Sequence, residues 1–258
     1  MNKNILDSLW LWSHPAACYN NRWNLPGEST LTPVEAAKFL GINNSVMVAF
    51  CDEPKPPFDA YAAQFAGMDK VIWSIIGDGG SKRNNTESDL PHVLALKKTL
   101  PNLRGGIMDD FFGSERANLD WVKAYAAALH EAGLELWVVL YGHQMETPRL
   151  REFLECCDVV SFWTWRADEL PLLEGRLEKL REMVPGKRIA LGCYMWDFGV
   201  GKPISLKDME YQCGLAHDQW RAGRISEIIM LGSPLCGMDI EAVAWSRDWI
   251  ASLKSRKR

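Results

Sequence analysis

Two adjacent aspartates, Asp109 and Asp110, close the segment Gly105-Gly106-Ile107-Met108-Asp109-Asp110-Phe111-Phe112. Carboxylates placed directly after an apolar run are costly unless they are solvated, paired or used. The run itself, Leu103–Met108, reads as a strand, so alternation sends the two side chains to opposite sides. Gly106, Met108 and Asp110 share one parity; Ile107 and Asp109 share the other. We place Asp110 in the open position with Asp109 as its orienting partner. The plainer alternative is that the pair caps the following loop or helix. Acid–base chemistry on a sugar needs a second carboxylate across from the first, and Glu146, Asp168 and Asp197 are candidates. Glu146 and Asp168 each precede a helical pattern, where a carboxylate is favoured in any case. Asp197, before Phe198-Gly199, is equally at home as a turn residue.

Aromatic residues gather after the same kind of run. Trp12, Trp163, Trp165 and Trp196 follow or end apolar segments, and the chain carries 12 tryptophans in all. Flat aromatic faces stack on the apolar faces of sugar rings, while carboxylates hydrogen-bond the hydroxyls. His14, Tyr141, His143 and Arg166 are polar candidates beside them. His14 and His143 with the aspartate pair could ligate Zn, Mn or Fe. No closely spaced histidine pair supports that, so hydrogen bonding to a hydroxyl is preferred and neither a metal ligand nor a cofactor is assigned. Trp121, Trp220, Trp245 and Trp249 fall in helical patterns and read as packing residues.

These residues need a frame that brings them together. Eight short apolar runs recur along the chain: Leu9–Ser13, Ser45–Phe50, Lys70–Ile76, Leu103–Met108, Glu135–Leu140, Val159–Trp163, Arg188–Cys193 and Glu227–Leu231. Helical patterns lie between them. Thr32-Pro33-Val34-Glu35 is a capping box opening a helix toward Leu40. Other helices are expected from Leu119 to Ala132, from Thr147-Pro148, from Glu169 to Val184, from Ser205 to near Gly223, and from Asp239 to Leu253. Strands separated by helices pair in parallel. Eight such units predict an α/β fold of the (β/α)8 TIM-barrel class, as one domain over residues 1–258. In that barrel every candidate named above falls on the rim after the strands, with Asp78 in a Gly-rich turn after the third. The alternative, an open doubly wound sheet, usually carries a phosphate loop after its first strand. Here that position reads Trp12-Ser13-His14-Pro15.

Composition narrows the classes further. The net charge of -4, from 29 basic and 33 acidic residues, gives no basic segment for nucleic acid beyond the terminal Lys254-Ser255-Arg256-Lys257-Arg258, read as a solvated end. No apolar stretch is long enough to span a membrane. The 7 scattered cysteines form no disulfide framework and no CxxC pair, and too few residues precede Leu9 for a signal peptide, so a cytoplasmic location is expected, or a secreted one where a signal was removed upstream of this numbering.

Met108-Asp109-Asp110-Phe111-Phe112, Trp163-Thr164-Trp165 and Tyr194-Met195-Trp196-Asp197 together resemble the TIM-barrel glycoside hydrolases in the broad, superfamily sense. The likeness covers the chain as architecture and these stretches as motif. The Asn-Glu pair of the largest barrel clan and the spaced DxxDxDxE of chitinase-like barrels are not found. The resemblance implies a carbohydrate-active hydrolase. Asp110 would be nucleophile or general base, Asp109 its partner, and Asp197 or Glu146 the opposing carboxylate. Trp12, Trp163, Trp165 and Trp196 would form sugar platforms. A metal-dependent sugar isomerase, aldolase or lyase, and a non-catalytic carbohydrate-binding barrel, are the rival expectations.

Overall fold

The structure, a computed structural model, describes residues 4–76, 88–112 and 118–255. Asp78 and the last three residues of the basic end lie outside them. Eight parallel strands close in chain order: β1 Leu9–Ser13, β2 Asn44–Met47, β3 Lys70–Ile76, β4 Leu103–Met108, β5 Glu135–Tyr141, β6 Val159–Trp163, β7 Arg188–Tyr194 and β8 Glu227–Leu231. The helices are α1 Pro33–Leu40, α2 Asp59–Ala62, α3 Leu90–Leu96, α4 Leu119–Glu131, α5 Leu150–Glu155, α6 Leu173–Met183, α7 Leu206–Arg221 and α8 Glu241–Ser255. This is the TIM barrel that the alternation predicts.

Local chemistry explains where the elements start and stop. The Thr32 hydroxyl accepts from the Glu35 amide while the Glu35 carboxylate accepts from the Thr32 amide, and Gly41 ends α1 in the left-handed region. Ser205 caps α7 in the same manner as Thr32 caps α1, by accepting from the Asp208 amide. Several boundaries differ from expectation, and β5 and β7 each run one residue further, to Tyr141 and Tyr194. β2 stops at Met47 because Phe50 pairs locally with Glu53, its amide donating at 2.7 Å. Thr147-Pro148 does not open α5; the Thr147 amide is held in a turn by the Gln144 carbonyl, and Arg149 is left-handed before the helix begins. The stretch expected as one helix from Glu169 splits into a 3-10 segment, Ala167–Leu172, and α6, with Pro171 inside the first.

The barrel interior is filled chiefly with indoles. Trp10 of β1 and Trp137 of β5 meet at 5.2 Å, and since those strands face each other across the barrel, the contact is internal. Below this pair lies a ring of charge. Trp10 donates to the Glu227 carboxylate at 2.8 Å, Lys70 lies over the Trp10 ring, and Arg188 pairs with Glu135 at 2.6 Å. Lys70, Glu135 and Arg188 open β3, β5 and β7, the alternate-strand layering of such barrels. Burial pushes the Glu227 carboxyl up, while Trp10, Lys70 and Arg188 pull it back. One layer higher, Trp12 of β1 meets Trp163 of β6 at 5.2 Å, edge to face. Gly192 of β7 is what admits the Trp163 indole: a methyl there would stand 2.0 Å from its ring. These two indoles are the floor of what lies above.

Candidate active site

Above that floor, at the strand C-termini, is a cavity of about 80 Å³. Asp109, Asp110, Tyr141 and Tyr194 form its polar wall, and Trp165, Phe198, Phe50, Tyr19 and Trp23 enclose it. His14 and Leu231 complete the lining. A wider groove of about 1340 Å³ opens at the opposite end, between the ends of α6 and α7, but its charged groups are chiefly Arg181, Lys187, Arg188, Arg221 and Arg224. The chemistry that the carboxylates could perform lies in the smaller space, on the rim where barrel enzymes place it.

The two aspartates reach the cavity by different routes. Strand register sets Gly105 beside Glu135 and Ile107 beside Trp137, which are interior positions. Asp109 continues that parity and is buried. Asp110 continues the parity of Gly106, where a methyl would meet Ile75 and Leu129 of the outer layer. A regular strand would therefore send Asp110 away from the mouth. Its backbone is left-handed instead, at φ 46°, and its amide donates to the Asp109 carboxylate at 3.0 Å. Strained backbone of this kind is held in place by its surroundings and collects at functional sites. Parity thus favours the opposite member of the pair from the one expected, and both line the cavity.

Tyr141 donates its hydroxyl to the Asp110 carboxylate at 3.0 Å. Burial pushes the Asp110 carboxyl above the usual range; the Tyr141 bond and nearby His143 act the other way. Burial, reinforced by the negative charge of Asp109 and Asp110, holds the phenols of Tyr19, Tyr141 and Tyr194 well above the ordinary tyrosine range, so all three remain neutral donors.

His14 lies in the wall with both ring nitrogens occupied. Nδ1 is 3.0 Å from the Val48 carbonyl, and Nε2 accepts from the Trp12 indole at 3.1 Å. The two contacts require one neutral tautomer, with the proton on Nδ1. Burial lowers its pKa to about 4. The lone pair that a metal would need is already used by Trp12. Among the described residues, no group of three or more His, Cys, Asp or Glu side chains could hold a metal ion.

Of the residues expected at the site, Trp12, His14, Asp109, Asp110, Tyr141, Trp163 and Trp165 line this cavity. The others do not. Glu146 is exposed, and its carboxylate pairs with Lys179 of α6 at 2.5 Å. Asp197 is buried in a turn: its carboxylate accepts from the Ala167 amide at 3.2 Å, and its carbonyl from Gly201 at 2.8 Å. It ties the loop after β6 to the loop after β7. Arg166 is held at the surface by Asp168 at 2.7 Å. His143 stacks on Tyr141 at 5.5 Å from outside the lining. Trp196 presents no platform; its indole donates to the Trp23 carbonyl at 3.1 Å and braces that residue from behind.

Tyr19, Trp23, Phe50 and Phe198 form a roof that the sequence reading missed, with Tyr19 and Trp23 at 4.6 Å and Trp23 and Phe198 at 5.4 Å. Ala17, Asn21, Trp23 and Asn24 are left-handed in the loop after β1, as are Cys51 and Asp52 after β2. A loop shaped by positive φ has no periodicity from which to read its inward residues. Tyr194 was within reach of the strand pattern, since it directly follows the apolar run Arg188–Cys193.

No family model matches the sequence, and no curated protein matches it. The fold is shared widely. A chitinase from Chromobacterium violaceum ATCC 12472 superposes with a TM-score of 0.56 at 11% identity, over 95% of this chain and 98% of that one. The chitinase ChiB from Flavobacterium johnsoniae gives 0.55 at 11%, over 96% and 94%. A tryptophan synthase α-subunit from Pyrococcus furiosus gives 0.52 at 12%, over 96% and 98%. At such identities the likeness is one of fold, and the fold serves glycoside hydrolases and other enzymes alike.

Proposed function

We propose that the chain is a carbohydrate-active hydrolase whose reaction takes place at the Asp109–Asp110 pair. The observation that carries this reading is a half-buried carboxyl, Asp110, raised by its surroundings and hydrogen-bonded to Tyr141 inside an aromatic cavity at the C-terminal rim of the barrel. A carboxyl whose proton is held more tightly because of burial is suited to protonating a glycosidic oxygen. This assigns Asp110 as the general acid, in place of the nucleophile or base expected from sequence. Asp109, whose carboxylate accepts from the Asp110 amide, orients the strained turn and supplies negative charge for an oxocarbenium-like transition state. Trp165 and the roof aromatics offer ring faces to the sugar.

The opposing-carboxylate arrangement finds no support, because neither Asp197 nor Glu146 reaches the lining. The same observation favours one rival, a carbohydrate-binding barrel without turnover. The deciding experiment compares the wild type with Asp110→Asn on a broad panel of oligosaccharides and aryl glycosides, reading new reducing ends by mass. Product from the wild type and at least a ~100-fold loss in the variant is expected. Binding of glycans without product would favour the binding barrel, and full activity in the variant would remove Asp110 from the chemistry.

A further inference from the structure

We infer that the groove at the opposite end of the barrel, between the ends of α6 and α7, binds a short polyanion: a chain carrying several phosphate or sulfate groups. This second site does not depend on the chemistry assigned to the Asp109–Asp110 cavity.

The charge of the groove runs against that of the molecule. The chain has a net charge of -4. Among the described residues, five cationic side chains line the groove, Arg181, Lys187, Arg188, Arg221 and Arg224, against two carboxylates, Glu178 and Glu182. The five come from separate stretches and leave no basic run in the sequence. The barrel gathers them by setting the turn before β7 beside the turn before β8. Helix ends account for part of the excess: Arg181 and Arg221 sit in the last turns of α6 and α7, where exposed carbonyls favour a cation. Lys187, Arg188 and Arg224 stand beyond those ends and answer no such demand. Some of the charge is spent within the chain. Arg188 pairs with Glu135 at 2.6 Å, and Lys187 donates to the Glu155 carbonyl at 2.7 Å. Arg224 donates from Nε to Gln219 at 2.7 Å. Among the described residues, no carboxylate lies within ion-pair distance of Arg181, Arg221 or Arg224. Guanidinium groups gathered in one groove without counter-charge focus a positive potential there, and a bound anion relieves their repulsion.

Size and chemistry choose the class of ligand. The groove holds about 1340 Å³. That exceeds the roughly 300–1,000 Å³ of pockets that enclose a drug-sized molecule, so an extended ligand suits it better than a single ion. Guanidinium forks pair bidentately with phosphate-like oxyanions, and one such group can accept from two forks at once. Trp220 lines the same groove, half-buried, and supplies an apolar strip for the atoms that join the anionic groups. Arg221 and Arg224 are exposed, so binding there is sensitive to salt.

The test is titration calorimetry of the whole chain at low salt and again at about 0.15 M. The probes are inorganic tripolyphosphate and a heparin hexasaccharide, with orthophosphate and neutral maltohexaose as controls. At least one polyanion should bind at one site per chain, at least about tenfold tighter than orthophosphate, and more weakly at the higher salt. Preference for tripolyphosphate would identify a phosphate chain, and preference for the hexasaccharide a sulfated glycan; either supports the site. Arg181→Gln and Arg221→Gln should each weaken binding about three- to tenfold, and the double variant at least about tenfold. Glu178→Gln should tighten it, while Arg247→Gln, on α8 outside the groove, should leave it unchanged. Thermal melts show that each variant is folded. Failure of both polyanions to bind better than orthophosphate would overturn the inference, as would wild-type affinity in the double variant.

Discussion

His14 offers a quantitative test of how the wall of the cavity is built. Its neutral form is fixed by the Trp12 indole on one nitrogen and the Val48 carbonyl on the other, and burial lowers its pKa from 6.5 to about 4. An unfolded chain takes up the proton near pH 6.5, whereas the native state takes it up only near pH 4. The unfolded state therefore binds more protons in that window, and stability rises with pH across it. The contribution is complete above the unfolded value and is lost as pH falls toward the folded one. Integrated from pH 7 down to pH 4, the loss is about 3 kcal/mol, with about 2 kcal/mol gone by pH 5. Other carboxylates titrate in the same range, so the informative quantity is a difference. In His14→Gln the side-chain amide retains a donor and an acceptor but has nothing to titrate. Urea unfolding by tryptophan fluorescence, at intervals between pH 7 and pH 4, should show the wild type losing about 3 kcal/mol more than the variant. Parallel pH dependences for the two proteins would refute the neutral buried tautomer, and with it the account of the wall.

Three more outcomes follow from the geometry. Tyr141→Phe removes the hydroxyl that stabilises ionised Asp110, so the Asp110 carboxyl should titrate at still higher pH, as followed by carboxyl 13C NMR of labelled protein. Gly192→Ala drives a methyl into the Trp163 ring and should cost about 1–3 kcal/mol, read as a lower melting temperature together with a changed near-ultraviolet dichroism. Asp197→Ala frees the Ala167 amide and should lower stability by about 1–3 kcal/mol; sugar binding measured well below the new melting temperature should be retained, and its selective loss would return Asp197 to the site.

The barrel was legible because its signal is local and repeated. β1, β3, β4, β6 and β8 have the boundaries read from apolar runs, and α1 begins and ends where Thr32, Pro33 and Leu40 say it should. The site was legible only as far as side chains follow strand direction. Trp12, Tyr141 and Trp163 obey alternation, and they line the cavity as expected. Asp110 does not obey it, because a left-handed residue reverses the outcome of a parity argument. Asp197 and Trp196 stand side by side after the end of β7, yet both turn to brace neighbouring loops, a choice made by partners thirty or more positions away in Ala167 and in Trp23. The roof was hidden for the same reason: Tyr19 and Trp23 are placed by loop conformation and by contacts with Phe50 and Phe198, none of which leaves a repeat in the sequence.

The conformation at Asp110 also constrains how this chain can drift. Positive φ is adopted most easily by glycine, asparagine and aspartate, and a β-branched residue would be strained there. Glycine would keep the turn and erase the carboxyl; asparagine would keep the turn and the shape. The alphabet open at this position is therefore about three letters long, and a single nucleotide change can carry the lineage from acid to amide without disturbing the barrel. Descendants that keep the turn and the aromatic enclosure without the carboxyl should announce themselves by asparagine or glycine here, beside an unaltered Tyr141.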